Sequence, residues 1–83
     1  MNVLARTPKQ LGNLIRRARR KQHLTQQALG ERAGYRQETI SLVENGNPAV
    51  KLETLLAILA ALDLELQVAP RTKGDATDIE ALF

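Results

Sequence analysis

Two short amphipathic segments separated by a glycine constrain the fold of this chain more than any other feature. The first covers about residues 26–33 and ends at Gly34, and the second covers about 36–44. Asn45-Gly46 stops the second segment. Glycine readily adopts the left-handed conformation in which many helices end. We therefore predict two short helices joined by a tight turn, the second with small polar side chains on its outer side.

Two longer helices are predicted on either side of this pair. Helix 1 should cover about 8–22, because Thr7-Pro8 is a favourable N-cap and first turn. Helix 4 should cover about 52–62, where leucine and isoleucine occupy more than half of the circumference. A surface helix of a small single domain needs only one apolar stripe. The excess indicates a second buried face, for which a subunit interface is the expected cover.

The segment Leu64-Glu-Leu-Gln-Val68 alternates apolar and polar residues, which predicts a strand. A lone strand leaves its backbone hydrogen-bonding groups unpaired. Pairing with the same segment of a second copy would satisfy them by two-fold symmetry, with Leu64, Leu66 and Val68 in the dimer interface. The expected division of the chain is a globular domain at 1–63, a dimerisation strand at 64–69 and a flexible tail at 70–83.

The composition favours one small all-α domain. Hydrophobic residues make up 43% of the 83 residues but aromatic residues only 2%, so the core must be aliphatic, which suits packed helices better than a β-sandwich. The absence of cysteine excludes disulfides and thiolate metal sites. The longest apolar window, Leu55 to Leu62, is far shorter than the ~20 residues of a membrane span. With no apolar signal core at the N-terminus, we expect a soluble cytoplasmic protein.

Charge is distributed unevenly along the chain. Residues 1–30 contain no acidic residue, and residues 1–63 hold ten Lys or Arg against five Asp or Glu. Residues 64–83 hold two basic residues against four acidic ones. A basic globular part with an acidic tail indicates partners of different charge, the first of them polyanionic, and a solvated basic face without a ligand is the alternative. Two short helices around a tight turn are also the parts of a helix-turn-helix DNA reader.

The sequence offers little from which a catalytic site could be built. It has no cysteine nucleophile, no glycine-rich phosphate loop and no histidine–carboxylate constellation, and its lone His23 lacks the neighbours of a metal site. We therefore expect no enzymatic activity, no cofactor and no metal. The polar start of the second short helix, Gln37-Glu38-Thr39, favours binding to DNA over the alternative of a protein-binding adaptor.

Residues 11–62 resemble the Cro/C1-type helix-turn-helix family, also called the XRE family. The matching pieces are the basic first helix, Leu24-Thr25-Gln26, Ala28-Leu29, the Gly34 turn, Thr39-Ile40-Ser41 and Glu44-Asn45-Gly46. The resemblance implies a lambda-repressor-like bundle of four to five helices. Helix 4, followed by the predicted strand and a tail, resembles HipB-type antitoxins. That second resemblance implies a homodimeric repressor that pairs with a HipA-like serine/threonine kinase toxin and represses its own operon.

In the Cro/C1 family the third helix enters the major groove of double-stranded DNA. Gln37 can pair bidentately with adenine, and Arg36 can reach a guanine or a phosphate. The Thr39 methyl suits a thymine methyl, while Glu38 either accepts from a cytosine amine or points away. The resemblance implies a phosphate contact for Gln26, whose helix N-terminus favours an anion. The residues predicted to contact DNA are Thr25, Gln26, Arg36, Gln37, Glu38, Thr39, Ser41, Asn45 and Lys51.

The resemblance also implies a structural ion pair between Arg19 of helix 1 and Glu44 of the Glu-Asn-Gly turn. The apolar residues near the C-terminus, Ile79, Leu82 and Phe83, have i, i+3, i+4 spacing and suit docking into a groove of the toxin, with a tail that binds nothing as the alternative. For the whole chain, the alternative to an antitoxin is a stand-alone Cro/C1-type operon or prophage regulator without a toxin partner.

Overall fold

The computed structural model describes residues 3–71, which contain four α-helices. They are α1 at Pro8–Lys21, α2 at Gln26–Ala33, α3 at Gln37–Glu44 and α4 at Leu52–Ala61. The four predicted helices are confirmed, and each end lies within one residue of its prediction. None of the helices in this part of the chain is long and apolar enough to cross a membrane.

Two threonines begin the first two helices. The Thr7 hydroxyl accepts a hydrogen bond from the backbone N–H of Gln10 at 3.0 Å, and the Gln10 side chain accepts one in return from the N–H of Arg6 at 2.7 Å. The Thr25 hydroxyl accepts from the N–H of Ala28 at 3.0 Å. Caps of this kind contribute about 1 kcal/mol each, because they satisfy donors that the helix itself leaves free.

Two glycines fix how the helices meet. Gly34 ends α2 in the left-handed region, with φ +82°, and makes the turn into α3. Gly12 lies where α1 crosses α3, and a Cβ atom there would come within 2.7 Å of the Glu44 carbonyl oxygen. A side chain at this position would force the two backbones apart. The absence of one therefore lets α1 approach the C-terminal end of α3 closely.

The core is aliphatic, as predicted. Both α1 and α2 pack against α3, and α4 packs against α2. The fully or nearly fully buried apolar residues are Ile15, Leu29, Ile40, Val43, Ile58, Leu59 and Leu62. Because α1 packs against α3 and α4 packs against α2, the helix-turn-helix unit is supported from behind and its outer side is left uncovered.

The strand predicted at Leu64–Val68 is not formed within the described chain, where residues 62–71 have neither helix nor strand structure. A strand needs a neighbour for its backbone groups, and residues 3–71 contain no second strand. The all-α fold is therefore confirmed, while pairing of residues 64–69 across a dimer stays a prediction. Ile79, Leu82 and Phe83 of the predicted toxin-binding tail lie outside the described residues.

The second apolar face predicted for α4 is exposed in the single chain. Leu52 and Leu56, one turn apart on α4, are 60% and 44% exposed. Leu64, Leu66 and Val68 are exposed as well. The apolar residues expected at a subunit interface are thus on the surface, where a second copy can reach them.

Candidate nucleic-acid interface

The outer side of α3 carries four of the nine residues predicted to contact DNA. At 100° per residue, the outer side of α3 is the side opposite the buried Ile40 and Val43. Its members are Gln37, Glu38, Leu42 and Asn45, which are exposed, and Ser41, which is half-buried. Together with Gln26 at the start of α2, four of these residues line a shallow depression: Gln37, Glu38, Ser41 and Leu42.

The remaining predicted contacts have different surroundings. Arg36 is the exposed N-cap of α3, and its side chain makes no capping bond, so the guanidinium is not used to begin the helix. Lys51 is the exposed N-cap of α4. Thr25 uses its hydroxyl to cap α2. Thr39 is half-buried and lies roughly 110° around the helix from the centre of the outer side.

A buried carboxylate lies directly behind this surface. The Glu44 side chain is fully buried, and its Oε2 accepts a 2.6 Å hydrogen bond from Arg19 Nε. Its Oε1 accepts from three donors, Arg19 Nη2 at 3.0 Å, Arg16 Nε at 3.2 Å and Gln26 Nε2 at 3.2 Å. Arg19 also donates to the Leu24 carbonyl at 2.8 Å, which ties the loop between α1 and α2 to the same cluster. The ion pair therefore joins α1, α2 and α3 at one point.

The surroundings of Glu44 lower the pKa of its carboxyl group. Burial alone would raise this pKa, but hydrogen bonds from Arg19, Gln26 and Arg16 and the positive charge of Arg19 outweigh it, so the pKa lies below the ordinary value of 4.5. The ionised carboxylate is thus the form that the folded protein favours.

This lowered pKa predicts a loss of stability in acid. A carboxyl group whose pKa is lower in the folded than in the unfolded state contributes stability above its unfolded pKa, and that contribution disappears as pH falls through its folded pKa. We expect the difference in unfolding free energy between the wild type and Glu44→Gln to be largest at neutral pH and to shrink below pH 4.5. Chemical denaturation of both proteins across this range measures it. A difference that is independent of pH would contradict the assignment.

The buried Glu44 carboxylate is connected through Gln26 to Gln37, the residue predicted to pair with adenine. Since the Gln26 amide donates to Glu44, its oxygen faces the other way, and it accepts from Gln37 Nε2 at 3.5 Å. The Gln37 side chain keeps its own oxygen and its second N–H for a ligand. A glutamine held in this way presents the acceptor and donor that match N6 and N7 of adenine.

Arg16 is a member of the cluster that sequence reasoning missed. Besides Glu44, it binds the exposed Asn45, with Arg16 Nη2 donating to Asn45 Oδ1 at 3.0 Å. The Asn45 amide in turn lies 3.4 Å from Ser41 Oγ. The spacing of Arg16 and Arg19, one turn apart on one face of α1, was the available signal. It was masked by the four other basic residues of that helix.

Comparisons with known proteins agree with this geometry. A helix-turn-helix family model, HTH_3, matches residues 15–68. No curated protein sequence matches the chain. Among solved structures, the chain is similar to HipB in the HipB-O4 20mer complex, with 30% identity, a TM-score of 0.80 and coverage of 86% of this chain and 100% of that one.

HipB in the HipA-HipB-O2-O3 complex gives the same identity and coverage, with a TM-score of 0.79. For the HipB-O1-O2 complex, the identity is 30%, the TM-score 0.77 and the coverage 83% of this chain and 100% of that one. With most of the chain matched both by a family model and by these structures, the protein belongs to the XRE-type helix-turn-helix family and is a DNA-binding regulator similar to HipB.

Proposed function

We propose that this protein is a sequence-specific transcriptional repressor and the antitoxin of a HipA-like kinase toxin, and that it represses its own operon and neutralises the toxin. The observation that best supports sequence-specific DNA binding is the set of exposed side chains on the outer side of α3. Directly behind them lie the buried Glu44 and its hydrogen-bond partners. Gln37 is oriented by Gln26, which Glu44 orients in turn. Side chains that are already held in position before binding lose little conformational entropy when they contact a base.

Basic residues of α1 and the N-terminus of α2 support phosphate binding. Residues 1–30 carry no acidic side chain. Arg17, Arg20 and Lys21 are exposed on α1. The N-terminus of α2, at Gln26, offers backbone N–H groups and the positive end of a helix dipole. Contacts of this kind fix the position of the protein on the duplex without reading sequence.

A homodimer suits the exposed apolar surface described above. Leu52 and Leu56 of α4 would pack against a second copy, and residues 64–69 of the two chains would pair as antiparallel strands. Two-fold symmetry would then place two copies of α3 one helical turn of DNA apart, about 34–36 Å, or a multiple of it.

The toxin part of the proposal rests on similarity. The chain is 30% identical to HipB in the HipA-HipB-O2-O3 complex and covers the whole of that HipB chain. A shared fold alone supports many functions. Here the likeness extends over 86% of this chain, which supports a partner similar to HipA.

Two binding measurements test this function. Purified protein is titrated with its own promoter region and with random duplex DNA at one physiological salt concentration, and then with the HipA-like kinase encoded beside its gene. We expect tighter binding to the promoter than to random DNA, and inhibition of the kinase. Equal affinity for both DNAs would overturn sequence-specific repression. Promoter binding without an adjacent kinase, or without its inhibition, would make the chain a stand-alone Cro/C1-type regulator.

The dimer is tested by Leu66→Pro. Proline removes a backbone donor from the proposed strand pair, so we expect a sharply raised dimer dissociation constant. Sedimentation velocity over a range of concentrations measures it. Because Leu66 is half exposed and lies outside the helices, the fold of the monomer should persist, which the helical circular dichroism checks. An unchanged dimer would place the interface elsewhere, and a monomeric wild type would refute the pairing.

A further inference from the structure

One residue on the outer side of α3 differs in chemistry from all its neighbours. Leu42 is 49% exposed and lies among Gln37, Glu38, Ser41 and Asn45. It does not belong to the core, whose α3 members are Ile40 and Val43. With the polar residues at the start of the helix, it lines the depression between α2 and α3.

We infer that Leu42 is a specificity-determining residue that contacts the 5-methyl group of a thymine in the major groove. The inference deepens the proposed function, since it rests on sequence-specific binding by α3. The thymine methyl is the apolar group that a base pair presents in the major groove. An apolar side chain at the reading surface is therefore complementary to thymine.

The leucine also acts against other bases. In contact with Leu42, the amine of cytosine or the carbonyl of guanine would give up its hydrogen bond to water and form none in return. This desolvation carries a free-energy penalty. Discrimination thus arises from attraction to thymine and from exclusion of polar base edges, as in other specific interfaces.

The position of Thr39 makes this assignment more specific. The sequence predicts that the Thr39 methyl meets a thymine, but Thr39 is half-buried and lies on the far side of α3 from the centre of the outer surface. Leu42 is roughly 50° from that centre, on the side opposite Gln37. The two side chains flank the reading surface, so we assign adenine to Gln37 and the thymine methyl to Leu42.

The experiment removes only the methyl group. The full-length protein first selects a preferred duplex from a randomised pool, and each thymine of that duplex is then replaced singly by deoxyuridine. Affinities are measured at one salt concentration for the wild type, Leu42→Ala and the control Leu4→Ala, an exposed leucine outside α3. At one thymine in each half-site, deoxyuridine should weaken wild-type binding about fourfold, the factor expected for one buried carbon.

The two leucine variants separate the outcomes. In Leu42→Ala the same deoxyuridine should cause no loss, whereas Leu4→Ala should retain the fourfold loss. A second variant, Leu42→Gln, should select adenine in place of that thymine when the pool is searched again, because glutamine pairs with adenine. Equal deoxyuridine effects in the wild type and Leu42→Ala, or no thymine sensitive to its methyl, would overturn this inference alone. A pool from which nothing is enriched would overturn the proposed function itself.

Discussion

Replacing Glu44 by alanine is expected to lower the free energy of unfolding by about 3–5 kcal/mol, the range for removing one partner of a buried ion pair. The loss arises because Arg19, which is 9% exposed, would keep its charge without the carboxylate that compensates it. Arg16 and Gln26 would also lose their acceptor. Since a small domain has a total stability of about 5–15 kcal/mol, this single change would remove a large part of it. Urea denaturation followed by circular dichroism measures the effect.

A double-mutant cycle shows whether the two charges act together. Arg19→Ala should also be destabilising, and the double variant should cost less than the sum of the two single changes, because it leaves neither charge alone. Glu31→Ala, which removes an exposed glutamate from α2, is the matched control and should change stability by at most about 0.5 kcal/mol. Strict additivity of Arg19→Ala and Glu44→Ala would mean that the pair contributes nothing as a pair.

Gln37→Ala should weaken binding to the preferred duplex by about 1–3 kcal/mol, the discrimination expected from one bidentate contact with a base. Binding to random DNA should barely change, since that mode depends on phosphate neutralisation by basic residues. Gln37 is exposed, so its removal should leave the fold intact. Affinities for both DNAs, measured at the same salt concentration, give the two effects.

The neighbouring glutamines of α2 refine this test. Gln27→Ala removes an exposed glutamine next to the cluster and serves as the matched control, with little change expected in either mode. Gln26→Ala should reproduce part of the loss seen for Gln37→Ala, because Gln26 holds the Gln37 amide in place. Parallel weakening of specific and non-specific binding by Gln37→Ala would mean that Gln37 reads no base.

The sequence was sufficient for the helices because their ends depend on contacts between near neighbours. Thr7 and Thr25 cap helices through bonds that span three residues, and Gly34 ends α2 through its own backbone conformation. The composition, with only 2% aromatic residues, also indicated an aliphatic core. Residues 64–69 are different, because a strand is completed only by a partner that this segment does not contain.

The same local periodicity predicted which side of α3 is exposed, but the presence of an apolar residue on that side was not predicted. Gln37, Glu38 and Asn45 could be recognised as polar residues of a short helix beside a glycine turn. The exposed Leu42 was not singled out, although at 100° per residue it lies roughly 160° from Ile40 and 100° from Val43. The packed structure buries Ile40 and Val43, as their spacing predicts, and leaves Leu42 at the surface.

The sequence by itself determined the helices, the aliphatic core and the helix-turn-helix unit, since each depends on residues a few positions apart. The tertiary structure decided what lies behind the reading surface. Beyond the Arg19–Glu44 pair that the family resemblance implied, Glu44 is joined to Gln26 and Arg16 across 18 and 28 residues of sequence. The bonds from Arg16 and Arg19 depend on the close approach of α1 to α3 that Gly12 allows, whereas the bond from Gln26 depends on the packing of α2 against α3. No local pattern encodes that approach.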